Sequence, residues 1–116
     1  MNFFIDTIEN IYKNISIYFS IIIVNDKKDI NYISKKLKLC NHSTYSIYNN
    51  YTLNNFKMND RIVVITYDLF YNFINKYNYH IFNFIAFYNI EYSIKELLIY
   101  YYYNISYNNY NNIIII

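Results

Sequence analysis

Few side chains in this sequence are of types that do chemistry, and their spacing decides what each could do. His42 and His80 lie far apart with no carboxylate-rich cluster beside them. A metal site needs three or four ligands converging at bonding distance, so none is expected. Cys40 is the one cysteine, which excludes an intrachain disulfide and a thiolate cluster and makes a reducing intracellular compartment, nuclear or cytoplasmic, the expectation. Thr66 and Asp68 follow the apolar run Ile62-Val63-Val64-Ile65. They thus stand at the carboxyl end of an expected strand, where open α/β sheets bind their ligands; otherwise Asp68 caps the turn that follows. Arg61, the only guanidinium, begins that strand after Asn59-Asp60 and suits a phosphate contact, a solvated position or a pairing with Asp60. Lysines 27, 28, 35, 36 and 38 form a basic face that fits either a phosphate backbone or plain solvation. Tyr100 to Tyr103 offer rings for stacking on unpaired bases or for packing on a sheet.

These residues must be positioned by a chain of 116 residues, the size of one domain and too short for two. The composition is lopsided: no Gly, Pro or Trp, one Ala (Ala86), and 18 Tyr. The depleted types have GC-rich codons and the enriched ones AT-rich codons, so the bias reads as drift in an AT-rich genome rather than as a functional signature. Without Gly, positive φ must fall on the next most tolerant residue, Asn. The pairs Asn49-Asn50, Asn54-Asn55 and Asn108-Asn109 are the expected turns. A formal charge of +2 is too small to identify a nucleic-acid binder by itself. The longest strongly apolar run, Ile15 to Val24, falls well short of the roughly twenty residues of a membrane-spanning helix, and no secretory leader pattern precedes it.

Apolar spacing predicts a helix over Asn2 to Lys13 and a buried strand over Ile15 to Val24. Asp26 is placed to cap a helix running to about Leu39 whose buried stripe is Ile30, Ile33 and Leu37. Strands are expected at Ser43 to Tyr48, Arg61 to Ile65, Ile81 to Tyr88 and Ile113 to Ile116. Tyr67 to Lys76 is open between loop and helical turn. Tyr92 to about Tyr103 reads as a helix capped by Ser93, with Leu97, Leu98 and Tyr101 on its apolar side. The stretch 100–112 is low in complexity and expected to be partly flexible. Alternation of strands and helices implies an α/β fold: a small three-layer structure with a parallel sheet covered on both faces.

Three segments, in order, resemble one family. Ile21-Ile22-Ile23-Val24-Asn25-Asp26, followed by a basic helix, is similar to the V-I-I-F-V-x-S strand of DEAD-box RNA helicases. Phe56-Lys57-Met58-Asn59-Asp60-Arg61-Ile62-Val63-Val64, then Asp68-Leu69-Phe70, resembles F-K-x-x-x-R-I-L-V-A-T-D-L-F, wording nearest to the mRNA-export and splicing subfamily. Phe87-Tyr88-Asn89-Ile90-Glu91-Tyr92-Ser93 resembles N-Y-D-x-P-x-S. The succession spans most of the chain and implies the C-terminal RecA-like domain of such a helicase, with RNA contacts at Arg61, Thr66, Asp68 and Asn75.

The catalytic words are altered. Where the family has R-G-x-D, this chain has Asn72-Phe73-Ile74-Asn75, and the register of the arginine-rich motif falls on Ile99-Tyr100, Tyr103 and Ser106. Tyrosine does not replace a planar, permanently charged, bidentate donor. The segment from Asn50 to Phe56 is too short to carry the family's Gln-x-x-Arg contact. A phosphate-binding G-x-x-x-x-G-K-[ST] loop cannot be written without Gly, and no D-E-A-D box is present. ATP and Mg are implied by the family alone, and any ATPase activity would need a separate chain carrying the N-terminal RecA-like half. The function expected is a degenerate helicase-family domain that binds RNA or a protein partner with little or no catalysis. The alternative is a structural or interaction module docking on a larger assembly.

Overall fold

β-branched residues on both faces of a strand favour burial from both sides, and the first strand, β1 (Ser20–Val24), is buried at every position. In the computed structural model, which describes residues 3–15, 17, 19–57, 60–77, 82–105 and 114–116, β1 is the centre of a five-stranded sheet. Its neighbours are β3 (Ile62–Thr66) and β4 (Phe84–Tyr88), with β2 (Thr44–Ile47) and β5 (Ile114–Ile115) at the edges, in the order β2-β3-β1-β4-β5. Every pairing is parallel, with Val24 opposite Thr66 on one side and Tyr88 on the other.

Side-chain alternation splits the core in two. Ile22, Val24, Val64 and Ala86 face α1 (Phe3–Asn14) and α2 (Lys27–Leu39), meeting Ile5, Ile8, Ile30, Ile33 and Leu37. Ile21, Ile23, Val63, Ile65 and Ile85 face α3 (Asn50–Asn54), α4 (Phe70–Tyr77) and α5 (Tyr92–Ile105), where Phe56, Phe73, Phe82 and Tyr102 fill the second core. The three-layer α/β arrangement is thus the one expected, compatible with a RecA-like domain.

Several boundaries differ from expectation, each for a local reason. The apolar run from Ile15 enters the ladder only at Ser20, because α1 continues to Asn14 and Ile15 N–H closes on the Ile11 carbonyl. Phe19 instead pairs with Asn83, whose N–H donates to the Phe19 carbonyl at 3.1 Å. The open segment Tyr67 to Lys76 is a 3-10 turn (Tyr67–Leu69) running into α4, which buries Phe70, Phe73 and Ile74. Ser93 is not a cap: α5 starts at Tyr92, and Lys95 N–H bonds the Glu91 carbonyl. On that helix Leu98 and Tyr102 are buried while Leu97 is 60% exposed, because a helix turns about 100° per residue and Leu97 falls off the buried arc. The stretch expected to be flexible from Tyr100 is helical through Ile105. His80, Ile81, Ser106, the Asn108-Asn109 pair and Ile113 lie outside the described residues.

Asparagine does take the positive φ, but at other positions. Asn41 has φ 67° and Asn89 φ 57°, whereas Asn49 is an extended N-cap of α3 and Asn55 its C-cap at φ −101°. Asn41 closes α2 in a Schellman arrangement, with His42 N–H on the Leu37 carbonyl and Asn41 N–H on that of Lys38, each at 3.0 Å.

Candidate functional site

In a parallel sheet with helical crossovers every helix runs back against the strands. All helices therefore begin at the carboxyl edge of the sheet and end at its amino edge. Most of the charged residues at helix ends are divided by sign between these edges, with Lys27, Lys28 and Lys95 at the carboxyl edge and Asp60 at the amino edge as exceptions. Lys13, Lys36, Lys38 and Lys76 lie in the last turns of α1, α2 and α4, and Lys57 and Arg61 stand in the connection entering β3. All six are at the amino edge. Asp6, Asp29 and Asp68 lie in first turns, and Asp26 and Glu91 immediately precede helices, all at the carboxyl edge. The helix macrodipole favours this sorting, by about 0.3–1 kcal/mol per charge.

At the amino edge a cleft of 650 Å3 opens between the end of α1, the turn after α2 and the start of β3. Its size is that of a ligand cleft. Tyr12, Lys13, His42, Ser43, Asp60 and Arg61 contribute its polar walls, over Ile17 and Ile62. The Schellman closure of α2 aims His42 back at α1, where its Nε2 is bonded to the Glu9 carboxylate and its ring centre lies 5.0 Å from that of Tyr12. The Tyr12 hydroxyl meets Ser20 Oγ at 2.5 Å. Ser20 in turn reaches the Arg61 carbonyl through its N–H at 2.9 Å and its hydroxyl at 3.4 Å. Arg61 Nη2 donates to the Ile17 carbonyl and Ser43 donates to Asp60.

Burial pushes the Tyr12 phenol up to about 12 against the opposing pull of its Ser20 hydrogen bond, so it is no base at neutral pH. Ser43 Oγ donates to Asp60 and His42 Nε2 is bonded to Glu9, so the histidine ring nitrogen facing α1 is spent on a carboxylate rather than on a hydroxyl. Both carboxylates of the cleft region are thereby engaged, while Lys13 projects into solvent. Among the described residues no group of three or more His, Cys, Asp or Glu converges as a metal site. No helix among them is long and apolar enough to cross a membrane.

The residues expected to contact RNA together are not together. Arg61 and Thr66 flank opposite ends of β3, about 16 Å apart along the strand. Thr66 is 6% exposed and its hydroxyl is buried without a hydrogen-bond partner, on the α2 side of the sheet. Asp68 is exposed in the 3-10 turn. Asn75, on α4, accepts a 2.6 Å hydrogen bond from Tyr101. Tyr100 and Tyr103 are 70% and 51% exposed on the outer face of α5 and carry no charge. With Asp26, Asp29 and Asp68 all at the carboxyl edge and the first turn of α2 closed by its own Asp26–Asp29 capping box, that turn meets the phosphates of a nucleoside triphosphate with carboxylates and does not fit them. The basic helix face is also divided: Lys27 lies 4.6 Å over the Tyr48 ring at the carboxyl edge, while Lys36 and Lys38 belong to the amino edge.

Sequence reasoning missed Glu9 and Tyr12 as neighbours of His42 and the contact of Ser43 with Asp60. No local pattern joins them, because they meet across 33 residues between Glu9 and His42 and 17 between Ser43 and Asp60. The pairing of Arg61 with Asp60 that sequence reasoning offered gives way to Arg61 on the Ile17 carbonyl and Asp60 on Ser43. No protein-family profile matches the chain, and no curated protein sequence is significantly similar to it.

Proposed function

We propose that this chain is a non-catalytic RNA-binding domain that holds single-stranded RNA along its amino edge. One observation carries the reading: Lys57 and Arg61 reinforce the cationic edge from a connection, not from a helix end. The macrodipole accounts for Lys13, Lys36, Lys38 and Lys76 but not for these two. A row of cations beside a cleft is the electrostatic footprint of a phosphate backbone, and the Asp-bearing carboxyl edge repels one. On this reading the domain is a helicase-like relative that has lost catalysis and shifted its RNA contacts from Thr66 and Asp68 to the opposite edge.

The test is titration of fluorescent oligouridine RNA with the full chain at several salt concentrations. With about four phosphates neutralised, log affinity falls with log salt at a slope of about −3. Lys13→Ala/Lys57→Ala is expected to weaken binding about tenfold, while Lys28→Ala at the carboxyl edge changes it less than about twofold. ATP is expected to have no effect. Absence of binding at low salt, or equal losses at both edges, rejects the proposal.

A second reading, as an interaction module, is favoured by α5, whose outer face presents Tyr92, Leu97, Tyr100 and Tyr103 to solvent. Salt-insensitive, stoichiometric co-purification with a protein, lost in Tyr100→Ala/Tyr103→Ala, would support it instead.

A further inference from the structure

The two edges that differ in charge are also complementary to each other. Lys13, Lys38 and Lys57 stand at the amino edge, and Asp26, Asp68 and Glu91 at the carboxyl edge, all of them exposed. Each edge adds large apolar side chains that the fold leaves uncovered. Phe3, Tyr51 and Tyr92, at the first turns of α1, α3 and α5, lie at the carboxyl edge, and Leu39, at the end of α2, lies at the amino edge; these four are 71–82% exposed. Ile15, just past the end of α1, is 46% exposed beside Leu39's edge.

Helix dipoles explain where the charges sit but give no reason for aromatic and aliphatic groups to be uncovered at the same ends. Scattered exposed apolar residues are ordinary on a monomer. Here Phe3, Ile15, Leu39, Tyr51 and Tyr92 fall within two oppositely charged edges of one molecule, while Tyr32, Leu97, Tyr100 and Tyr103 lie on helix faces away from them. Opposite charge steers two surfaces together and fixes their order, while the apolar groups supply area to bury.

We propose that the carboxyl edge of one copy of this chain docks on the amino edge of another. The two surfaces differ, so the contact is heterologous and repeats without closing, giving head-to-tail stacks rather than a two-fold dimer. Lys28 at the carboxyl edge opposes the contact, which limits its strength; Lys27 is drawn over Tyr48 and Lys95 over Phe87. RNA on the amino edge competes with the second copy for the same lysines, so RNA disperses the stacks. The self-association does not depend on RNA binding and is tested without it.

The experiment is sedimentation velocity of the full chain, free of nucleic acid, across protein concentration and sodium chloride concentration. The expected result is a weight-average mass that rises with protein concentration and returns to that of the monomer as salt is added. Two charge-reversed chains then identify the surfaces: Lys38→Glu/Lys57→Glu at one edge and Asp68→Lys/Glu91→Lys at the other, all at exposed positions. Each alone weakens the attraction between the edges and is expected to lower the weight-average mass at low salt, and their equimolar mixture is expected to regain association. Circular dichroism melts confirm that both reversed chains are folded. A monomeric wild-type chain at low salt and high concentration overturns the proposal, as does association that both reversals leave intact or that the mixture fails to restore. RNA titrations on dilute, monomeric chain report on the amino edge separately, so loss of one reading leaves the other measurable.

Discussion

The two edges of the sheet are built from the same kinds of element and end in opposite chemistry. At the amino edge α1, α2 and α4 finish in lysines, and Arg61 and Lys57 enter β3 beside a cleft whose own carboxylates are already occupied. At the carboxyl edge the helices begin, α2 is capped by Asp26 with Asp29 and α3 by Asn49 with Thr52, and the buried Thr66 hydroxyl has no partner. Open α/β sheets generally bind ligands at the carboxyl edge because helix amino ends and strand ends converge there. In this molecule capping side chains engage first-turn donors of α2 and α3, and Asp26, Asp29, Asp68 and Glu91 add negative charge there. The lesson is that a fold offers an edge, and the side chains at the helix ends decide whether it can be used.

The largest expected effect breaks the comparison outright. Lys38→Glu/Lys57→Glu should lower RNA affinity about a hundredfold at low salt, measured by fluorescence anisotropy, because two phosphate contacts become repulsions. Asp68→Lys/Glu91→Lys should raise it slightly. If the carboxyl-edge reversal produces the larger change, the assignment of the edges is inverted.

Next comes the titration of the cleft. The folded chain keeps the Tyr12 proton that the unfolded chain releases near pH 10, because burial raises the phenol to about 12. Its contribution to stability is therefore fully present below about pH 10 and falls as pH rises toward 12, by up to about 1.4 kcal/mol per pH unit. Urea melts of wild type and Tyr12→Phe across that range should show a slope in the first that is reduced in the second. Equal slopes would mean that the cleft admits water to the phenol.

The carboxyl edge yields smaller effects. Asp26→Ala removes the α2 capping box and should cost about 1 kcal/mol in urea unfolding. Thr66→Val, which replaces a buried hydroxyl lacking a partner by a methyl group, should stabilise by about 0.5–1 kcal/mol. Destabilisation of the latter by a similar amount would reveal a hydrogen bond at Thr66 and return ligand binding to that edge.

Much of the fold was legible from local pattern. Asp26 as a cap, Ile30, Ile33 and Leu37 as the buried stripe of α2, and the core of each strand follow from spacing and from the reach of a short side chain to nearby N–H groups. That asparagine would carry positive φ also follows from composition, since no Gly is present. Which asparagines do so does not: Asn41 and Asn89 lie where a helix or a strand must end, and their pattern is no stronger than that of Asn49-Asn50. The strand starting at Ser20 rather than Ile15, and Leu97 facing solvent beside buried Leu98, depend on what packs alongside. By itself the sequence determined an α/β chain without a phosphate loop and with too little net charge to declare a partner. Only the tertiary structure decided where the charge lies. Crossover helices carry their ends to opposite edges of one sheet, so residues distant in sequence accumulate on a single edge, and a modest net charge becomes two edges of opposite sign.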